Sequence, residues 1–182
     1  GSSGTVSPLG EYLPVEYYLA AVYALFAALA MLPLVYQTAA DISGAILHRG
    51  LASGRSVTHF YLSRLCSGTL FILPVLFMVY PTSLLLKASD ALIGGPYNGN
   101  LAALTGVIFF GAVCLSTLAA TLACLIGKTQ PAVWAGFYLI LGMSVAGGAL
   151  IPDGALPSGL AMVGRWLPLR LIMRGLANAL FD

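Results

Sequence analysis

The sequence predicts an all-α integral membrane protein, a polytopic helical bundle with short external re-entrant or interfacial helices. Of its 182 residues, 59% are hydrophobic and only 8% charged, and the mean hydropathy is +0.95. A water-soluble domain carries roughly a quarter of its residues as charges, so the missing charge points to lipid as the solvent. In hydrocarbon an unpaired backbone amide costs several kcal/mol, and only helices and closed barrels pair all their own groups. Barrel strands alternate apolar and polar residues; runs such as residues 70–80 do not alternate, which selects helices.

Residues 1–10 are small and polar and lack the basic start of a signal peptide, and residues 1–16 are expected to form an external N-terminal segment. A transmembrane domain over residues 17–151 follows, with four helices at about 17–40, 61–86, 101–126 and 131–151. The uncharged cores of these helices are residues 17–36, 65–86, 101–126 and 131–151, each near the roughly 20 residues needed to cross a bilayer. The connection over 41–64 holds His48, Arg49, Gly50, Gly54, Arg55, His59 and Arg64. The next, 87–100, is rich in turn formers from Gly94 to Asn100, and the third is the tight Gly127-Lys128-Thr129-Gln130.

Lys and Arg concentrate in short cytoplasmic loops. Arg49, Arg55, Arg64 and Lys128 in the first and third connections, against Lys87 in the second, place the first and third inside and the N-terminus outside. Residues 152–182 then fall outside as external re-entrant or interfacial helices. This stretch opens on Pro152-Asp153-Gly154, is broken again at Pro157 and at Trp166-Leu167-Pro168, and leaves two apolar pieces too short to span. Arg165, Arg170 and Arg174 lie in it, against the charge rule; a stretch that does not cross resolves the conflict.

Close helix contacts in a bilayer rest on small residues. Ala112, Ser116, Ala120 and Cys124 recur every four residues as a candidate packing stripe, and Ala20, Ala24 and Ala28 do the same on the first span. Pro33, Pro74 and Pro81 should kink their helices or sit near their ends. Cys66, Cys114 and Cys124 lie in apolar runs and read as small buried hydrophobes, not as a disulfide or metal set.

Several chemistries lose support on the same residues. The apolar runs carry no charge, which weakens proton pumps and most ion-coupled carriers. Asp41, at the inner edge of the first span, reads as a solvated helix end in preference to a relay. His48 and His59 lack the neighbouring ligands of a metal site. No Gly-x-Ser-x-Gly elbow supports a triad. Gly127-Lys128-Thr129 resembles the end of a phosphate-binding loop, but the position of its leading glycine is Leu122, inside a membrane helix. No catalytic, cofactor or metal residues are therefore assigned, and the small dispersed charge of +2 gives no nucleic-acid surface.

Two stretches resemble the membrane subunit of ABC-2 type ABC transporters. In the first, Leu47-His48-Arg49-Gly50 runs through Arg55 to Phe60-Tyr61-Leu62-Ser63-Arg64, similar to that family's Arg-Gly element, amphipathic connection and basic helix opening. Leu47-His48 stands where the family usually has an acidic residue. The second stretch, Gly147-Gly148-Ala149-Leu150-Ile151-Pro152, Leu156-Pro157, Trp166-Leu167-Pro168-Leu169 and Arg174, resembles the family's pattern before its last helix. Read this way, the chain is a core fragment holding the family's second to fifth spans and its external helices, without the first and last.

The resemblance implies a permease subunit of an ATP-driven exporter in the plasma (bacterial inner) membrane, moving a hydrophobic or amphipathic substrate of the drug, lipid or glycan-lipid class. It implies no nucleotide site on this chain, with ATP and magnesium on a partner ABC ATPase subunit or domain, and a second permease half as homo- or heterodimer partner. His48, Arg49, Gly50 and Arg55 would form the ATPase-coupling loop, and Pro152, Pro157, Trp166, Pro168 and Arg174 would cap the exit. The alternatives are a non-transporting membrane assembly subunit and, with less support, a secondary carrier, for which no inverted repeat is visible.

Overall fold

The structure, a computed structural model, describes residues 14–54, 56–82, 84–85, 100–151 and 157–181, without the side chains of 14–17, 158, 160, 161 and 181. Most of the expected N-terminal segment, the turn-rich residues 94–99, Arg55 and Pro152 lie outside the described residues. The described residues form an all-α membrane protein. In chain order the helices are α1 (Pro14–Leu29), α2 (Met31–Ser43), α3 (Ile46–Ala52), α4 (Val57–Phe77), α5 (Leu101–Ile126), α6 (Thr129–Ala146), α7 (Ser158–Gly164) and α8 (Pro168–Phe181).

Among the described residues, three helical stretches are long and apolar enough to cross a membrane: Tyr18–Ser43, Val57–Thr82 and Leu101–Ile126. Large apolar side chains cover their outsides, with Leu70, Phe110 and Leu125 between 70% and 79% exposed, as lipid-facing positions should be. The fourth apolar run becomes α6, whose 18 residues reach about 27 Å. Its first turn is the polar Thr129-Gln130-Pro131, and it stops at Ala146, where Gly147 and Gly148 follow, Gly148 with φ +86°.

Prolines set two of the helix boundaries. A proline removes the amide that would bond the carbonyl four residues earlier and crowds that carbonyl. Pro33 acts on Leu29, where α1 ends, and Pro81 acts on Phe77, where α4 ends before helical residues 79–82. Pro74 lies within α4 without ending it.

The chain divides into two compact units. One holds residues 1–25, 78–108 and 142–182. In it the Tyr23 hydroxyl donates to the Met78 carbonyl at 3.3 Å and also meets Thr82 Oγ1, while the Tyr80 hydroxyl meets Thr105 Oγ1. Asn100 caps α5, its Oδ1 accepting from the amides of Ala102 and Ala103 at 3.1 and 3.2 Å. On α8, Leu169, Ile172, Met173, Leu176, Ala177 and Leu180 are buried, the 3–4 spacing of an amphipathic helix. Its 14 residues span about 21 Å, short of a bilayer core near 30 Å. Gly175 sits against Val107, and the Asn100 amide donates to the Ala179 carbonyl at 2.9 Å, which fixes α8 along the start of α5.

The other unit holds residues 26–77 and 109–141. Gly68 lets α4 approach α5, where Thr69 Oγ1 and Ser116 Oγ share a 2.9 Å hydrogen bond. A second rung joins Tyr61 and Thr121 at 2.9 Å. Such bonds between helices in lipid average about 0.6 kcal/mol. Ala112, Ser116 and Ala120 are buried, whereas Cys124 is exposed. Cys66, Cys114 and Cys124 are free thiols on the outside of their helices, not the buried fillers expected. An apolar thiol is as compatible with a lipid-facing surface as with a core, so hydropathy could not tell the two apart.

The two classes of glycine predict opposite outcomes. A Cβ on Gly164 would overlap the Ala146 carbonyl, whereas one on Gly106 meets nothing within 4 Å. Gly164→Ala should lose about 1–3 kcal/mol, and Gly106→Ala should be neutral or gain up to about 1 kcal/mol of helix propensity. Reversible unfolding in mixed detergent micelles measures both.

Candidate functional site

The residues singled out in the first connection fold as an elbow. At the end of α2 the Gly44 amide donates to the Ala40 carbonyl at 2.7 Å, and Ala45 takes φ +60°, ψ 14°. That left-handed conformation costs a non-glycine residue roughly 1–2 kcal/mol and redirects the chain. Helix α3 starts at once, with the Arg49 amide donating to the Ala45 carbonyl at 3.0 Å. It ends when Ser53 Oγ donates to the Gly50 carbonyl at 2.8 Å and Gly54 turns to φ +83°. Ser56 then opens α4, its Oγ accepting the His59 amide at 3.2 Å.

No residue of α3 is buried. His48 and Arg49 are exposed, and Gly50 has open space beside it. The structure thus puts His48, Arg49 and Gly50 on one short helix; Arg55 belongs to the connection that follows.

Asp41 forms an ion pair with Arg64, joining α2 to α4. Asp41 is therefore not a free solvated end, and both charges lie inside the helical stretches Tyr18–Ser43 and Val57–Thr82, just beyond the uncharged cores 17–36 and 65–86. The helices outrun the apolar residues because each charge neutralises the other; the two side chains are 16% and 24% exposed. Arg64 also lies over the Phe60 ring, 5.6 Å from its centroid. Apolar run length alone could not place Arg64 two turns inside α4.

At the same end, Ser43 Oγ and Thr129 Oγ1 are 3.1 Å apart, and Gly127, at φ +67°, turns α5 into α6. The first and third connections therefore lie together, bringing exposed Lys128 to the end that carries His48 and Arg49. A separate cavity of about 380 Å³ on α2 and α4 is lined by Pro33, Leu34, Gln37, Ser67, Leu70 and Phe71. Beside it in sequence, Thr38 Oγ1 is buried without a hydrogen-bond partner among the described residues.

In the C-terminal stretch, Pro157 precedes α7, Trp166 is 83% exposed, Pro168 begins α8 and Arg174 is exposed. Pro168 suits the first helical position, whose amide has no partner. Arg170, counted from the sequence with Arg165 and Arg174 as a loop charge, is instead buried on the apolar face of α8. Its place beside Leu169 and Met173 in the 3–4 pattern was the available signal.

The described residues thus form apolar membrane helices with neutral mid-sections and an exposed basic elbow. The profile of the family described as "ABC-2 family transporter protein" matches residues 7–182, and the chain belongs to that family. It is accordingly an ABC transporter permease, integral to the membrane, and its family works with an ABC ATPase partner. No curated protein and no solved structure matches the chain.

The ion pair makes a measurable coupling. Asp41→Asn and Arg64→Gln should each destabilise the fold, while the double variant loses less than their sum by about 1–3 kcal/mol, between surface and buried pairs. A double-mutant cycle of detergent unfolding reads this value directly.

Proposed function

We propose that the chain is a permease half of an ATP-driven exporter in the plasma or bacterial inner membrane, with its N-terminus outside. The α2–α3–α4 elbow carries the reading. A seven-residue helix with nothing buried, held between two left-handed residues at the ends of two spans, is built to meet another protein in water. His48, Arg49, Gly50 and Arg55 transmit movement of the ATPase to the spans, and ATP and magnesium stay with that partner.

The orientation follows from charge. His48, Arg49 and Lys128 share one end of their unit, and positive loops stay inside. The C-terminal helices α7 and α8 are too short to cross and cap the outer exit, with Pro152, Pro157, Trp166, Pro168 and Arg174 in that cap. Burial of Arg170 removes one of the three arginines there from the solvent-facing charge count.

The substrate is hydrophobic or amphipathic, of the drug, lipid or glycan-lipid class. The cavity on α2 and α4 supports this, since it offers Gln37 and Ser67 as polar handles among Leu34, Leu70 and Phe71, and no charge. A second permease half completes the pathway.

Arg49→Glu tests the elbow. Reversing one contact charge at a protein interface typically costs several kcal/mol, so transport-coupled ATPase activity should fall by roughly tenfold or more while membrane insertion stays normal. Unchanged transport removes the role assigned to α3. Gentle solubilisation of the full-length protein should bring down an ABC ATPase unless the same polypeptide encodes one; if neither holds, the chain is a non-transporting assembly subunit.

A further inference from the structure

Two cavities flank the elbow, and they differ in polarity. The first, about 210 Å³, lies between one face of α3 and one face of α4. The α4 side supplies Ser56, which opens the helix, and then His59, Phe60, Ser63 and Arg64, three, four, seven and eight residues on, the spacing of a single helix face. From α3 come Ile46, Leu47 and Leu51, with Gly50 leaving the wall open. One wall is thus polar and basic and the other apolar. The second cavity, about 460 Å³, is lined by Ile42, Val57, Thr58, Tyr61 and Cys124, and Leu47 and Phe60 border both. It is mostly apolar and uncharged, with the hydroxyls of Thr58 and Tyr61 as its polar groups.

We infer that this paired cavity is a binding site for a phospholipid with an anionic headgroup, the headgroup beside His59, Ser63 and Arg64 and an acyl chain in the compartment beyond Phe60. Three observations favour that occupant over a soluble anion or an apolar ligand. The site lies at the end of the span Tyr18–Ser43 and the start of the span Val57–Thr82, where apolar helix gives way to polar and basic residues, as it does at a membrane interface. Its unit carries four basic residues, Arg49, Arg55, Arg64 and Lys128, against the single acid Asp41. Finally, Arg64 gives one nitrogen to Asp41, and a guanidinium has further N–H donors for a phosphate. The site stands independently of whether α3 meets an ATPase.

The test is native mass spectrometry of the delipidated chain titrated with phosphatidylglycerol or phosphatidylcholine of identical acyl chains. Phosphatidylglycerol should bind roughly fivefold more tightly, the effect of about one basic residue at a membrane surface. Gly50→Leu fills the open wall and improves helix propensity; it should abolish the preference, as should Ser63→Leu, a second variant should the first fail to insert. Gly106→Leu, beside open space elsewhere, should leave the preference intact. Equal binding of the two lipids, or a preference unchanged in both cavity variants, overturns the inference. So does displacement of phosphatidylglycerol by millimolar inorganic phosphate, which would mean a headgroup-sized anion site without the acyl compartment.

Discussion

Lipid offers the backbone no hydrogen bonds, and every interruption of a helix in this protein is placed under that constraint. At several of these interruptions another group bonds a nearby backbone carbonyl or amide. Pro81 acts on the Phe77 carbonyl and ends α4, and on the next carbonyl, that of Met78, the Tyr23 hydroxyl and Thr82 Oγ1 converge. Asn100 and Gly127 close the two ends of α5 with a side-chain cap and a left-handed turn. Serine and threonine hydroxyls in the spans bond back to carbonyls three or four residues earlier, as Thr69 does to Leu65, and then forward to the next helix. The same hydroxyl serves its own backbone and the interhelical contact.

Charge is arranged under the same rule. Asp41 and Arg64 would each be costly near the hydrocarbon boundary if alone, yet together they let α2 and α4 extend past their apolar cores. Helices longer than the bilayer core can then carry a folded elbow at the membrane surface. Arg170 is the second such placement, a buried cation on an otherwise apolar helix face.

How far the sequence was legible depends on how local each signal is. The all-α membrane class follows from composition, and the ends of α5 from a polar Asn100 and a glycine framing an apolar run. The breaks at Leu29 and Phe77 follow from prolines four residues later, a spacing the sequence displays openly. The 41–64 connection was legible as basic but not as helical, because α3 is too short to show a period and Ala45 is an improbable left-handed residue. The Asp41–Arg64 pair joins residues 23 positions apart, and nothing in either apolar run announces it. The cysteines were misjudged for a related reason: hydropathy separates lipid and core from water, and it does not separate lipid from core.

Under the proposed function the elbow has a mechanical logic. The apolar mid-sections of the spans hold no charge that an ion gradient or voltage could act on, so the work must enter from outside them. Helix α3 is short, exposed and bounded by Ala45 and Gly54, both with positive φ, so a push on it reaches α2 and α4 through two compact turns. Without a cross-link those two helices could respond separately. The Asp41–Arg64 pair, about one turn behind the elbow on α2 and two turns on α4, ties them together, and the Ser43–Thr129 contact extends that coupling to α6. Coordinated tilting of several helices, and not bending of one, is the motion this arrangement favours.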